Sequence, residues 1–238
     1  HPYLTDKGWS FATDFAGTTG DTVGSQAYLQ QVYLQAAPDY AGLITVPVLW
    51  DKQQRSIVNN ESADILRMLN TEFQSFSTRP ELDLYPVALR SEIDAINAWV
   101  YPTINNGVYR SGFAQSQHAH EQAVDALFDA LDRAERLLTS QNYLCGGVLT
   151  EADVRLFTTL IRFDAVYHTH FKCNRRLIGQ YPALHRFTAR LYRLPGVAAT
   201  VDMAQIRFHY YFSHRHINPT GIVPKGPDVL AELAAIAV

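Results

Sequence analysis

The chain has 238 residues, 47% of them hydrophobic and 18% charged, enough apolar surface for one large core or two modest ones and too much for a disordered chain. A net charge of −3 leaves no basic surplus for gripping nucleic acid or an anionic membrane, and the apolar runs stop far short of the roughly 20 residues that span a bilayer. With no cleavable leader pattern and two cysteines, Cys145 and Cys173, that do not form a CxxC pair, the composition points to the cytoplasm, to no metal, and to two ordinary semi-buried thiols.

The chain opens on His1-Pro2, not on methionine, which leads to the expectation that translation starts further upstream. An aromatic patch from Trp9 to Phe15 and a Gly/Thr/Asp stretch with turn chemistry follow, and Gln26–Gln35 reads as a short helix. From Leu43 to Trp50 a β-branched run predicts a strand; polar Asp51–Arg55 turns it, and Ser56–Val58 returns as its hairpin partner. Pro47 is out of place inside a strand, because it lacks a ladder donor, and a cis Val46–Pro47 bond would account for it. Asn59-Asn60-Glu61-Ser62 then caps a helix whose apolar face carries Ile65, Leu66 and Leu69.

Phe73–Tyr85, followed at once by Pro86, reads as a linker. Beyond it the pattern is helical. Leu89, Ile93, Ile96, Trp99 and Val100 keep a 3.6 period, and Val124, Leu127, Phe128, Leu131 and Leu138 keep it through a longer helix. Thr150-Glu-Ala-Asp153 has the form of a capping box ahead of Val154–Phe163. Pro182 suits the first turn of a helix carrying Leu184, Phe187 and Leu191, which Pro195-Gly196 ends. The tail from Ile206, rich in His, Tyr, Pro and Gly, is expected to wrap the surface.

Two constellations carry chemistry. The unpaired N–H groups at the start of the Ser62 helix suit a carboxylate, the Ser62 hydroxyl adds a donor, and Glu61 can pair with an ammonium group. Val46, beside a cis proline, would offer a free backbone edge to an extended peptide. A short peptide with a free amino-acid head, such as glutathione, meets both demands; a plain core strand followed by an ordinary cap meets them as well. The second constellation gathers Asn105 to Ala114, Tyr167 with His168 and His170, and Arg207 to Tyr211, whose tyrosines suit a flat ligand bearing hydroxyls. With 13 tyrosines in the chain, packing alone accounts for most of them. His168 and His170, or His214 and His216, lack a carboxylate or thiolate at metal-ligand spacing, and no GxSxG elbow is present.

Val46-Pro47-Val48-Leu49-Trp50-Asp51, Asn60 to Asn70, Asn105-Asn106-Gly107-Val108-Tyr109, Leu149 to Arg155, Thr169 to Asn174, and His209-Tyr210-Tyr211 through Ile217 to Gly221 resemble the glutathionyl-hydroquinone reductases, the Xi-class glutathione transferases. The resemblance runs from near His1 to Pro227. It implies an α+β two-domain glutathione-transferase fold: an incomplete thioredoxin-like domain over residues 1–78 and an all-helical domain over 86–238, working as a homodimer with glutathione as co-substrate. Carried over position by position, Trp9, Val46, Glu61 and Ser62 would bind glutathione, and Tyr109, Tyr167 and Tyr210 would line a hydroquinone pocket. The implied reaction is reduction of glutathionyl-hydroquinones by thiol–disulfide chemistry.

Two departures stand out. The family's nucleophile sits in a Cys-Pro-Trp motif well before the tryptophan matched by Trp9, beyond the eight residues that precede it here, so the attacking cysteine is expected upstream of His1 and residues 1–238 alone are expected to be inactive. Gln30 stands where a basic residue that assists glutathione binding is expected. A nucleophile-free binding or dimerisation module is the alternative reading, and a tyrosine- or serine-activated conjugating transferase is a third.

Overall fold

The computed structural model describes residues 1–237, and its chain divides into two units, His1–Leu82 and Asp83–Val238. In the first unit, β1 (Leu4–Thr5) and β2 (Gly8–Trp9) form a short antiparallel hairpin pairing Leu4 with Trp9. Helix α1 (Leu29–Ala36) starts where the Gln31 side chain accepts from the Tyr28 N–H. It buries Leu29, Val32 and Tyr33, against which Trp9, Ile44, Val48, Trp50 and Ile57 pack.

The second hairpin joins β3 (Leu49–Asp51) to β4 (Ser56–Asn59), with Trp50 opposite Ile57. Its turn is an Asx turn: the Asp51 carboxylate accepts from the Gln53 and Gln54 N–H groups at 2.7 and 2.9 Å. The strand expected from Leu43 is shorter than its β-branched sequence suggests, for residues 43–48 are irregular. There the Thr45 carbonyl is taken by the Tyr33 hydroxyl at 2.8 Å instead of by a neighbouring strand, and Pro47 has no N–H to give. The Val46–Pro47 bond is cis. Helix α2 (Ser62–Thr71) follows, capped by the Glu61 carboxylate on the Ala63 N–H at 3.3 Å.

In the second unit α3 (Arg90–Val100), a π-turn over Tyr101–Asn105 and α4 (Gly107–Gly112) make one interrupted helical run. Ser116 caps α5 (Gln117–Thr139), whose Val124, Leu127, Phe128, Leu131 and Leu138 are buried as their spacing predicts. Thr150 and Asp153 form the capping box of α6 (Glu151–Arg162): the Asp153 carboxylate accepts from the Thr150 N–H at 2.8 Å and, from outside the helix, from the Leu144 N–H at 2.7 Å. A second π-turn, Phe163–Tyr167, leads into α7 (His168–His170). Pro182 opens α8 (Pro182–Tyr192), whose first free N–H groups, those of Ala183 and Leu184, are taken by the Glu135 carboxylate.

The tail from Ile206 runs over the surface only in its irregular, mostly exposed residues 214–228, and its first part is ordered helix instead. That part belongs to α9 (Met203–Ser213), which buries Tyr210 and Tyr211, and after the irregular stretch α10 (Val229–Ala235) buries Val229 and Leu233. Two adjacent tyrosines with partners for their hydroxyls can be buried where free polar tips could not.

Candidate functional site

In the first unit a side-chain network fixes the loop that carries Val46. The Tyr33 hydroxyl donates to the Thr45 carbonyl, and the Asn60 amide donates to the Tyr33 hydroxyl at 3.1 Å and to Thr45 Oγ1 at 3.2 Å. Asn60 stands immediately before the Glu61 cap, so one amide ties the Val46 loop to the start of α2 and to α1. Val46 is 51% exposed, and its main chain has no hydrogen-bond partner among the described residues. Glu61 and Ser62, which follow Asn60 directly in the chain, are exposed, the Glu61 carboxylate resting on the Ala63 N–H and within 3.5 Å of the Ser62 hydroxyl. A free backbone edge plus a hydroxyl, a carboxylate and a helix N-terminus fits the donor and acceptor set of a small zwitterionic peptide. Trp9 lies in β2, packed on the Leu29, Val32 and Tyr33 cluster, and Gln30 is exposed on α1.

In the second unit the three tyrosines singled out by sequence converge. The Tyr210 hydroxyl lies 2.5 Å from that of Tyr109 and 2.9 Å from that of Tyr167. Tyr167 and Tyr210 are 2% and 6% exposed. They come from three separate helical runs: Tyr109 from α4 just past the first π-turn, Tyr167 from the end of the second, and Tyr210 from α9. Such turns widen a helix locally and often accompany functional sites. The Asn105 amide closes the first onto α6, donating to the Arg155 carbonyl at 2.8 Å and to Thr159 Oγ1 at 2.6 Å.

Burial pushes the Tyr167 phenol well above its ordinary value, and burial followed by the neighbouring Tyr109 raises Tyr210 as well. Both stay protonated at neutral pH. Three hydroxyls joined by two hydrogen bonds leave one O–H uncommitted within the trio, a donor for an oxygen on an aromatic ligand.

Phe171, which sequence reasoning gave no role, sits fully buried among them. Its ring is stacked on Tyr167 at 13° and 5.5 Å between centroids, and set edge-on to Tyr210 at 5.8 Å. Gly112 makes room for it, since a Cβ there would overlap the Phe171 ring. The glycine lies inside the Asn105 to Ala114 motif, where its value is visible only once the ring above it is known.

The two thiols are buried more deeply than their expected semi-buried state. Cys145 is 4% exposed and Cys173 fully buried, and burial pushes their thiols up to about 11 and about 12. Neither is a thiolate at neutral pH, so neither is fit to attack a sulfur. Among the described residues no group of His, Cys, Asp or Glu side chains is arranged to hold a metal ion, and no helix is long and apolar enough to cross a membrane.

Comparison with known proteins follows this division. The family described as Glutathione S-transferase, N-terminal domain matches residues 3–72, and Glutathione S-transferase, C-terminal domain matches residues 117–190. The chain is 50% identical over 227 residues to the glutathionyl-hydroquinone reductase YqjG of Escherichia coli (strain K12), covering 95% of this chain and 69% of that protein. The chain belongs to the glutathionyl-hydroquinone reductase family. A second reductase of the family, PcpF of Sphingobium chlorophenolicum, is 50% identical over 225 residues, covering 94% of this chain and 71% of PcpF. The glutathione-bound structure of YqjG matches with a TM-score of 0.93, covering 96% of this chain and 74% of that one. The Xi-class transferase of Phanerochaete chrysosporium gives the same score at 50% identity, covering 95% of this chain and 78% of its own. These likenesses establish the two-domain glutathione-transferase fold and the Xi class.

Proposed function

We propose that this protein serves the glutathione-dependent reduction of glutathionyl-hydroquinones to hydroquinones, with glutathione as co-substrate. The convergence of the Tyr109, Tyr167 and Tyr210 hydroxyls carries the reading, because a cluster of neutral phenols with one uncommitted donor suits the oxygens of a hydroquinone ring. The names of the reductases it resembles support the same chemistry. Within the first unit Val46, Glu61 and Ser62 bind glutathione, through backbone pairing, contact with the ammonium group and donation to the carboxylate respectively, and Trp9 belongs to the same set. The phenols hold the ring.

The reaction begins with a thiolate that attacks the glutathionyl sulfur. A sulfur–sulfur bond forms, the carbon–sulfur bond breaks, and its electron pair stays on the ring carbon, which takes up a proton. A second glutathione thiolate then attacks the mixed disulfide, releasing glutathione disulfide and restoring the first thiolate. The buried, protonated state of Cys145 and Cys173 supports an attacking cysteine outside residues 1–238, and on this reading these residues bind but do not turn over. The same state favours the second reading, a nucleophile-free binding or dimerisation module. We place the protein in the cytoplasm as a homodimer, a state that light scattering on the purified protein tests.

Assaying the complete gene product with a glutathionyl-hydroquinone separates the two readings. Stoichiometric release of hydroquinone and glutathione disulfide is expected, abolished by changing an upstream cysteine and lowered about 2- to 10-fold in kcat/KM by Tyr210→Phe, the range for one neutral hydrogen bond. Glutathione binding without turnover by the complete product selects the module instead.

A further inference from the structure

Four histidines cluster beside the tyrosines without a part in the chemistry above, and two of them are bonded to each other. His170 Nε2 lies 3.1 Å from His214 Nδ1, with the rings nearly parallel at 20°. His170 is 4% exposed. Its other neighbours are rings: Tyr211 stands edge-on at 4.8 Å and Phe171 is tilted at 5.2 Å. On the far side the His214 ring stacks on Phe171 at 15°.

The positions of the two histidines in the chain matter more than their environment. His170 follows Tyr167 by three residues, across the π-turn into α7, a spacing that puts both on one face of a helical segment. His214 ends α9, and its N–H donates to the Tyr210 carbonyl at 3.3 Å. The same two segments are therefore tied three times: by phenols at Tyr167–Tyr210, by the Tyr211 hydroxyl donating to the Ala165 carbonyl at 3.3 Å, and by imidazoles at His170–His214. The imidazole tie lies about one helical turn beyond Tyr167 on one segment and beyond Tyr210 on the other, so it bears directly on where the Tyr210 hydroxyl points.

We infer that the His170–His214 hydrogen bond is a positioning tie that sets the Tyr210 hydroxyl against Tyr167 and so governs affinity for the hydroquinone ring. The ligand half of this inference rests on the function proposed above; the geometric half does not. Donation is the essential property. An imidazole on one side needs an acceptor or donor at the same place on the other, whereas a ring of similar size without nitrogen supplies only stacking.

Two variants separate these contributions. His214→Phe keeps a ring to stack on Phe171 and removes the bond; His214→Asn removes the ring and keeps a polar atom near the position of Nδ1. With 13Cζ-labelled tyrosine in residues 1–238, the Tyr167 and Tyr210 resonances, assigned from Tyr167→Phe and Tyr210→Phe, are expected to shift in His214→Phe and return toward wild type in His214→Asn. Hydroquinone affinity, measured calorimetrically on the same proteins, is expected to fall about tenfold in His214→Phe with glutathione affinity unchanged. In a Tyr210→Phe background His214→Phe should cost no further affinity, a non-additivity that a general loss of packing does not produce.

Tyrosine resonances unmoved by His214→Phe overturn the inference, as do equal losses of glutathione and hydroquinone affinity or an additive double variant. If the resonances shift in His214→Phe while the wild-type protein binds no hydroquinone, the tie stands and the proposed function falls.

Discussion

At the scale of single residues, burial has set protonation states in the site, and these states are measurable. Burial lowers His170 from an ordinary 6.5 to about 4, helped by Lys172, His216 and His209, and lowers His214 to about 3, helped by His209, His170 and His216. Both imidazoles are thus neutral in the folded protein at pH 7. An unfolded chain takes up protons on both near 6.5, while the folded protein does so only near 4 and 3. Unfolding therefore binds protons, and the stability these residues contribute, full above pH 6.5, is lost progressively as pH falls toward 4 and below. Urea midpoints between pH 7 and 5 should fall more steeply for the wild type than for a His170→Phe/His214→Phe double variant, by on the order of 1 kcal/mol or more at pH 5. Equal slopes would show that neither imidazole is held neutral. Little of this was legible in the sequence, where His-x-His pairs suggested only a metal site to be weighed and set aside. Tyr109, Tyr167 and Tyr210 were legible through family resemblance, since composition makes all 13 tyrosines alike. The Tyr33–Thr45–Asn60 network was not, because its members lie 12 to 27 residues apart and no local period links them.

At the scale of elements, helices announced themselves because their buried faces recur every three or four residues, as on α5, and their caps are local, as at Thr150 and Asp153. The strand over Leu43–Val48 misled for the converse reason: β-branched side chains describe a preference, while the partner for the Thr45 carbonyl came from a tyrosine on the preceding helix α1. Packing between elements left no mark in the sequence, and Gly112 is the clearest case. Alanine is the better helix former by about 1 kcal/mol, so by propensity alone Gly112→Ala should stabilise α4. Against this stands overlap with the Phe171 ring, which is fully buried and confined by Tyr109, Tyr167 and Tyr210. Overpacking a closed core costs about 1–3 kcal/mol and outweighs the gain. Gly112→Ala is expected to lower Tm, and to weaken hydroquinone binding because Phe171 carries the tyrosines with it. A raised Tm with unchanged affinity would mean that the ring yields freely.

At the scale of the whole molecule, the two units hold very different amounts of buried matter. The unit Asp83–Val238 has a continuous core running through α3, α5, α6, α8 and α10, with Ile93, Leu127, Leu131, Leu156, Leu184 and Phe187 fully buried. The unit His1–Leu82 buries only Leu29, Val32 and Tyr33 as a cluster, on two hairpins of two strands each, and α2 buries none of its residues. Isolated two-stranded hairpins are marginal in water, and at about 25 cal/mol per Å² three side chains do little to offset the ordering of that many residues. Local opening should therefore begin in the first unit. Hydrogen exchange on residues 1–238, followed by mass spectrometry, is expected to show amides of β3, β4 and α2 exchanging orders of magnitude faster than those of α5 and α6. Adding glutathione should slow exchange around Val46 and Ser62, because a ligand bound only by the folded form stabilises it by mass action. Uniform protection across both units would refute the ranking, and protection by glutathione confined to α5 and α6 would remove the peptide site from the α2 N-terminus.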